Sequence, residues 1–336
     1  MYRSPRSLPP ESPNQHGLMT DSSRNTARIA LVTCGIGFIG RHLCPSLESH
    51  GWIVRRAVRK PSAAANDVDV GSFTSDTDWE PALSGVETVI HMAARAHNRS
   101  SSRDAQAYTS LNTDATLRLA ECCARAGVGH FVFLSTILVN GASTDGRAPF
   151  SERDPPAPKT IYATSKAAAE HGLAELARST AMKITVIRRP LVYGDGAAGN
   201  FGALVRAVQS GSPLPFAAIR NRRGFIFVGN LVSFIEHQLL HPQPGFEIFQ
   251  VADPQQVSTP EFIRQLATAL GVSARLIAVP RPLLKLLFAL ARRPEAYDSV
   301  ACSMAIDTSK ASSTGWSAPF SLAEGLSRTV EASRKI

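Results

Sequence analysis

The sequence predicts an α/β fold: a doubly wound parallel sheet of Rossmann type with a smaller C-terminal domain. Three observations predict it. Short apolar runs alternate with longer stretches of helical period. The runs are apolar throughout, as strands covered on both faces must be. A glycine-rich turn follows the first of them, at 35–40.

In order along the chain, the first strand is 28–33 (RIALVT), followed by the turn and a helix over 38–50. Strands follow at 52–58, about 67–70, and 87–92 (ETVIHM). A helix over 107–126 precedes the fifth strand at 130–134, and another begins near Tyr162, ahead of the sixth strand at 183–188. After Tyr193 the alternation weakens. Residues 195–215 are rich in Gly, Ala and Pro, and 224–228 and 246–251 read as late strands returning to the sheet. The stretch 257–270 is a helix, with Ser258 or Thr259 as cap and Pro260 in the first turn. The expected division is a tail over 1–27, a Rossmann domain over 28–193 with late strands from 224–252, and a mainly substrate-binding part over 194–336.

Composition narrows the function. A hydrophobic fraction of 44% with 19% charged residues is ordinary for a globular chain with a sizeable core. Five cysteines, an odd number without a C-x-x-C pair, fit free thiols in a reducing compartment, so a cytoplasmic protein is expected. Nine histidines form no H-E-x-x-H and no cluster with cysteine, so no metal is expected. The net charge of +9 is scattered in pairs such as Arg55-Arg56, Arg188-Arg189, Arg222-Arg223 and Arg292-Arg293, without a stripe or interleaved aromatics. It reads as a solvated basic surface, helpful to an anionic substrate, and not as a nucleic-acid interface. Residues 1–27 carry no apolar run and are expected to be disordered, with no signal-peptide core. The apolar stretch 282–291 (PLLKLLFALA) is too short to span a bilayer and contains Lys285. It reads as a core or interface helix, and no membrane insertion is expected.

Where the first strand becomes a helix, free backbone N–H groups and the positive end of the helix dipole can hold a pyrophosphate. Gly35, Gly37, Phe38 and Ile39 are the residues placed to do so, and a nicotinamide dinucleotide, NAD(P), is the expected cofactor. Its choice is read at the end of the second strand, where an acidic residue would favour NAD. Arg59 stands there instead. It either pairs with a 2′-phosphate, slightly favouring NADP(H), or belongs to a solvated basic turn.

Tyr162 and Lys166 are four apart on a helix and share one face. An ammonium beside a phenol lowers its pKa, so Tyr162 can exchange a proton with a hydroxyl near neutral pH, while Lys166 can hold a ribose of the expected dinucleotide. The hydroxyl pair Ser135-Thr136 ends the fifth strand, where open α/β sheets place their ligands.

The run VTCGIGFIGRHL resembles the T-G-x-x-G-F-I-G motif of extended short-chain dehydrogenases, the family of UDP-glucose 4-epimerase and other sugar-nucleotide epimerases, dehydratases and reductases. Other matches keep the family's order, over a span from about Arg28 to the C-terminus. FLSTILVNG resembles S-[ST]-x-x-V-[YN]-G, which implies that Thr136 bonds the reacting sugar oxygen and that Ser135 is structural. Asp69 resembles the residue that holds the adenine amino group. His91-Met92-Ala93-Ala94 resembles the H-x-A-A that lines the cofactor, which implies a contact at Ala93; a satisfied core histidine is the alternative for His91. Asn112 resembles the helix asparagine of the active-site network, close to substrate. Arg188, Pro190 and Tyr193-Gly194 resemble R-P-x-x-V-Y-G near the nicotinamide, with Arg189 replacing a usual proline. Asn200 and Arg223 resemble the residues that grip the nucleotide diphosphate. Asp307-Thr308-Ser309-Lys310, Gly315-Trp316 and SLAEGL resemble the closing segment. Two departures stand out. Cys34 replaces the first glycine of the turn, where a Cβ forces φ away from positive values or crowds the phosphates, and weaker cofactor binding is expected. Gly229 stands where the nearest subgroup has an acidic residue.

The resemblance implies hydride transfer at C4 of a UDP-sugar, with a homodimer as the assembly. The acidic residues that a 4,6-dehydratase carries after the threonine are here Ile137-Leu138, which disfavours dehydration. A UDP-sugar 4-epimerase is the first expectation. An NADPH-dependent 4-ketoreductase of a UDP-4-keto-6-deoxy-N-acetylhexosamine, in surface polysaccharide synthesis, is the second. A non-catalytic NADP(H)-binding sensor is the third, and the intact Thr136, Tyr162 and Lys166 set argues against it.

Overall fold

The computed structural model describes residues 28–60, 64–95, 105–291 and 294–333; the predicted tail over 1–27 lies outside them. Among the described residues nine strands are formed: β1 Arg28–Thr33, β2 Trp52–Val58, β3 Asp67–Asp69, β4 Thr88–His91, β5 His130–Thr136, β6 Lys183–Arg189, β7 Leu191–Tyr193, β8 Phe225–Phe227 and β9 Phe246–Gln250. Seven make one wholly parallel sheet in the order β3-β2-β1-β4-β5-β6-β9. The order reverses between β1 and β4. A crevice therefore opens outside the carboxyl ends of these strands, at the topological switch point.

Among the described residues, twelve α-helices accompany the strands. Those of the first part are α1 Gly40–Ser49, α2 Glu80–Leu83, α3 Ala105–Thr109, α4 Ala115–Arg125 and α5 Ile161–Ala177. Successive strand residues point to opposite faces, and the core divides accordingly. Ala30 and Val32 of β1 pack with Leu43 and Leu47 of α1 on one face. Leu31 packs with Leu119 of α4 and Leu173 of α5 on the other. Every residue of β5 is buried, as a central strand covered on both sides requires.

The later helices are α6 Gly199–Gln209, α7 Val228–Leu240, α8 Thr259–Leu270, α9 Arg281–Leu290, α10 Pro294–Ala301, α11 Ser309–Ser313 and α12 Leu322–Ser333. Local chemistry explains α8: Ser258 accepts the Glu261 N–H at 3.3 Å, Pro260 occupies the first turn, and Gly271 closes the helix in the left-handed region at φ 73°. The core of the α1 face extends without a break into α7, α8 and α12, through Phe234, Phe262, Leu322 and Val330.

Three expectations need correction. The strand expected over 224–228 does not return to the main sheet. As β8 it pairs with β7 in a separate two-stranded parallel sheet, and β9 takes the edge beside β6. The helix expected over 107–126 is interrupted by a π-helical turn, Ser110–Asp114, which seats the wholly buried Asn112. The stretch 282–291 is helical, and of its two readings, core or interface helix, the core one is corrected. In α9 only Leu284 is buried, against Ile219, Tyr297 and Ala301, while Leu283, Leu286, Leu287 and Leu290 are exposed. Among the described residues, no helix is long and apolar enough to cross a membrane.

Candidate active site

The turn between β1 and α1 shows what replaces the missing glycine. Cys34 keeps a left-handed backbone, φ 60°, the sole non-glycine among the described residues to do so. The expectation that its Cβ forces φ elsewhere is therefore corrected. The turn is closed by the Gly37 N–H donating to the Cys34 carbonyl at 2.9 Å, and the loop imposes its shape at a cost of about 1–2 kcal/mol. Gly40 admits no substitute, since a Cβ there would lie 2.3 Å from the Gly35 carbonyl oxygen. No side chain caps α1 at Ile39, so its first N–H groups have no partner of that kind. Gly35 is buried, while Gly37, Phe38 and Ile39 are partly open. Exposed Arg59 follows β2, close enough for its charge to act on the Cys34 thiol, which burial pushes up. Asp69 ends β3 opposite Val58, and its carboxylate accepts the Gly71 N–H at 2.9 Å.

At the carboxyl ends of β5 and β6 the other predicted groups converge. Thr136 is 4% exposed, its Oγ1 accepts the Leu138 N–H at 3.3 Å, and it lies opposite Arg189 in the β5–β6 register. Tyr162 is half-buried in the first turn of α5, whose cap is Thr160 accepting the Ala163 N–H at 3.1 Å. Lys166, one turn on, is 1% exposed. Its Nζ lies 4.0 Å from the centre of the Phe133 ring and has no hydrogen-bond partner. Burial, with the charge of Arg189 adding to it, pulls the Lys166 ammonium down to about 7; Glu170 acts the other way. Burial pushes the Tyr162 phenol up and the charge of Arg189 draws it back. The lysine was expected to lower the tyrosine; the cation that acts on it here is Arg189. Pro190 is buried next to it.

Beneath these groups lies a saturated polar floor. Glu170 accepts the Ser135 hydroxyl at 2.5 Å and pairs with Arg188 at 2.6 Å, and Arg188 also donates to the Asn140 side chain at 3.0 Å. All are buried. Ser135 is thus structural, as expected. Sequence reasoning missed Glu170, although an acid four residues after Lys166 on an otherwise apolar helix face is a signal of such a partner.

Asn112 requires a correction. It was expected close to substrate, but its Oδ1 accepts the Arg95 N–H at 2.8 Å and its Nδ2 donates to Ser165 Oγ at 3.0 Å and the Arg95 carbonyl at 3.2 Å. Ser165 in turn donates to the Tyr162 carbonyl at 2.8 Å. Wholly buried and fully engaged, Asn112 fastens the first turn of α5. His91 takes the core alternative. It bridges Thr33 and Thr116, each at 3.0 Å, and stacks on Phe133; burial, aided by the charge of Lys166, pulls it down to about 3, so it is neutral. Thr33 also accepts the N–H groups of Met92 and Ala93, which locks Ala93, 7% exposed, at the end of β4.

The two residues expected at a diphosphate differ. Asn200 is exposed at the start of α6. Arg223 is corrected: it is 9% exposed and donates to the carbonyls of Cys302 at 2.6 Å and Asp298 at 3.4 Å, at the C-terminal end of α10, where a cation suits the helix dipole. Burial pulls it down to about 10. Gly229 also has a reason: a Cβ there would lie 2.6 Å from the Phe227 ring. The acid of this region is Asp253, missed in the sequence, which accepts from Tyr193 Oη at 2.7 Å, the Asn230 side chain at 2.7 Å and the Phe227 N–H at 2.9 Å. A cleft of about 410 Å³ between α6 and α12 contains none of Thr136, Tyr162 or Lys166. Among the described residues, no group of three metal-ligating side chains occurs.

The chain is similar to known proteins over most of its length. The model of the NAD dependent epimerase/dehydratase family matches residues 30–252. A UDP-glucose 4-epimerase of Vibrio cholerae is 36% identical over 324 residues, 94% of this chain and 98% of that one. Among solved structures, MoeE5 in complex with UDP-glucose and NAD superposes with a TM-score of 0.74 at 26% identity, covering 91% of this chain and 98% of that chain. A UDP-glucose 4-epimerase of Thermotoga maritima with UDP-glucose gives a TM-score of 0.73 at 26% identity, over 91% and 99%.

Proposed function

This chain belongs to the NAD dependent epimerase/dehydratase family, and on that premise we propose that it is a UDP-sugar 4-epimerase. One observation carries the reading: Lys166 Nζ, buried without a hydrogen-bond partner over the Phe133 ring, one turn of α5 beyond Tyr162. A buried ammonium with no acceptor is costly unless a ligand supplies one. The ribose hydroxyls of a nicotinamide dinucleotide are such acceptors, and the β1–α1 turn has the glycine cradle for the pyrophosphate.

When bound, the dinucleotide supplies the hydride acceptor and donor. The chain's own residues hold the rest of the chemistry. Tyr162 takes the proton of the sugar C4 hydroxyl as base and returns it as acid. Thr136 bonds the same oxygen and fixes its distance from the phenol. Lys166 orients the ribose, and Asn112 and Ser165 keep the first turn of α5, and with it Tyr162, in place. Gly35, Gly37, Phe38 and Ile39 hold the pyrophosphate, with Asp69 at the adenine, Ala93 and Pro190 lining the crevice, and Asn200 at the diphosphate of the sugar nucleotide. Exposed Arg59 favours NADP(H), since a guanidinium is suited to a 2′-phosphate. The same residue supports a second reading, an NADPH-dependent 4-ketoreductase. A homodimer is the proposed assembly.

The test is incubation with UDP-glucose, UDP-N-acetylglucosamine and a 4-keto-6-deoxy UDP-sugar, each with and without NADPH. Interconversion of C4 epimers without added reductant supports the epimerase. NADPH-dependent loss of the keto sugar alone overturns it in favour of the reductase, and no turnover of any of the three overturns both.

A further inference from the structure

Helix α9 keeps large apolar side chains in the open. Leu283, Leu286, Leu287 and Leu290 are between 45% and 72% exposed. Spaced at i, i+3, i+4 and i+7, they form a single stripe along the helix. Another face of α9 already has its partner, because Leu284 and Phe288 pack with Ile219, Tyr297 and Ala301. The helix is thus anchored to the molecule on one side and presents four leucines on another. Ile277, exposed just ahead of it, adds a fifth apolar side chain. Scattered apolar residues on a surface need no explanation, whereas a contiguous group marks a place where something docks.

Charge selects the partner. Residues 262–294 hold six cations, Arg264, Arg275, Arg281, Lys285, Arg292 and Arg293, and no Asp or Glu, which is +6 of a net +9. Arg281 pairs with Asp145 at 3.6 Å. Among the described residues Arg264, Arg275 and Lys285 enter no ion pair, and all three are exposed. A surface both apolar and cationic matches an anionic bilayer, where leucines enter the acyl boundary and the Lys and Arg stems reach phosphate headgroups. A second copy of this chain matches it poorly. A two-fold contact sets the same patch against itself, cations against cations. One face of this ten-residue helix, about 15 Å long, also falls well short of the roughly 800 Å² per partner of a stable dimer.

We propose that α9 is a membrane-docking helix: it lies along a bilayer surface rich in anionic phospholipid, with its leucine stripe in the acyl boundary and its cations at the headgroups. Ten residues are too few to span a bilayer, so the attachment is peripheral and weakened by salt. The proposal is independent of the reaction at the crevice, since none of Thr136, Tyr162 and Lys166 belongs to α9.

The experiment is co-sedimentation of the full chain with vesicles of phosphatidylglycerol and phosphatidylethanolamine, and with vesicles of phosphatidylcholine alone. At about 0.1 M salt the chain binds the first and not the second, and at about 1 M salt binding to the first weakens. The double variant Leu286→Gln, Leu290→Gln lowers binding by at least about tenfold, since one leucine withdrawn from water is worth about that factor. Lys285→Gln lowers it about fivefold, the worth of one cation at such a surface. All three side chains are exposed, so the melting temperature stays at the wild-type value and a lost signal reports docking, not unfolding. Failure of the wild type to bind anionic vesicles, equal binding to neutral ones, or a leucine variant that binds as the wild type does overturns the proposal. A wild type that is dimeric by sedimentation velocity beside a monomeric leucine variant overturns it too, and assigns the stripe to a second copy of the chain.

Discussion

The two ends of the crevice are built differently. The β1–α1 turn presents backbone: amide groups, a helix end and the bare Gly40 at close quarters with the Gly35 carbonyl. The β5–β6 end presents side chains: Thr136, Tyr162, Lys166 and Arg189, resting on the buried Glu170–Arg188 pair. A site made of backbone tolerates an altered side chain provided the loop keeps its shape, which Cys34 does at φ 60°. A site made of side chains should have no such tolerance, because in the proposed reaction each group has a role that no neighbour duplicates.

That contrast predicts a descending series of effects. Tyr162→Phe should lower turnover by about 10²–10⁴-fold while dinucleotide affinity, by calorimetric titration, stays within about twofold. Equal loss of binding and turnover would place Tyr162 in the scaffold. Glu170→Ala, which strands the buried Arg188 charge, should lower stability by about 3–5 kcal/mol in urea denaturation; a loss below about 1 kcal/mol would mean that the floor of the crevice does not depend on the pair.

Lys166→Met sharpens the comparison through pH. The ammonium is held at about 7 in the folded chain against 10.5 for a free lysine. Between those values the unfolded chain binds more protons, so wild-type stability from this group rises with pH. The Met variant should therefore melt higher than wild type at neutral pH, with the gap closing as pH climbs toward 10.5; a gap that stays constant would show an unperturbed lysine. The smallest change belongs to the turn. Cys34→Gly should gain about 1 kcal/mol in thermal stability by releasing the left-handed cysteine and should tighten dinucleotide binding. A destabilised glycine variant would mean that the cysteine side chain stabilises the loop it occupies.

The sequence made the parallel sheet legible because each central strand is a continuous apolar run, and β5 and β6 begin where they were expected. The placement of Thr136 at the end of β5 and of Tyr162 and Lys166 one turn apart on α5 was legible because strand end and helix start are both marked in the sequence. What escaped depends on tertiary pairing. Nothing local distinguishes Arg188 from Arg189, yet one is neutralised by Glu170 and the Nε of the other is buried without a partner. Arg223 looked free until α10 brought two carbonyls to it, and Asn112 until the π turn spent its whole amide on Arg95 and Ser165. Residues 224–228 have the composition of a strand but cannot say which sheet they join.

The continuous core that runs from Ala30 of β1 to Val330 of α12 bears on any attempt to retarget this protein by building chimaeras. Tyr193 bonds both Asp253 and the Leu322 carbonyl, and a Cβ on Gly325 would come within 2.5 Å of its hydroxyl. The part of the chain after Tyr193 is therefore not a detachable cap. A graft of that part from another relative would have to bring matching partners for α1, β7 and β8 with it, or leave a seam through the middle of the molecule.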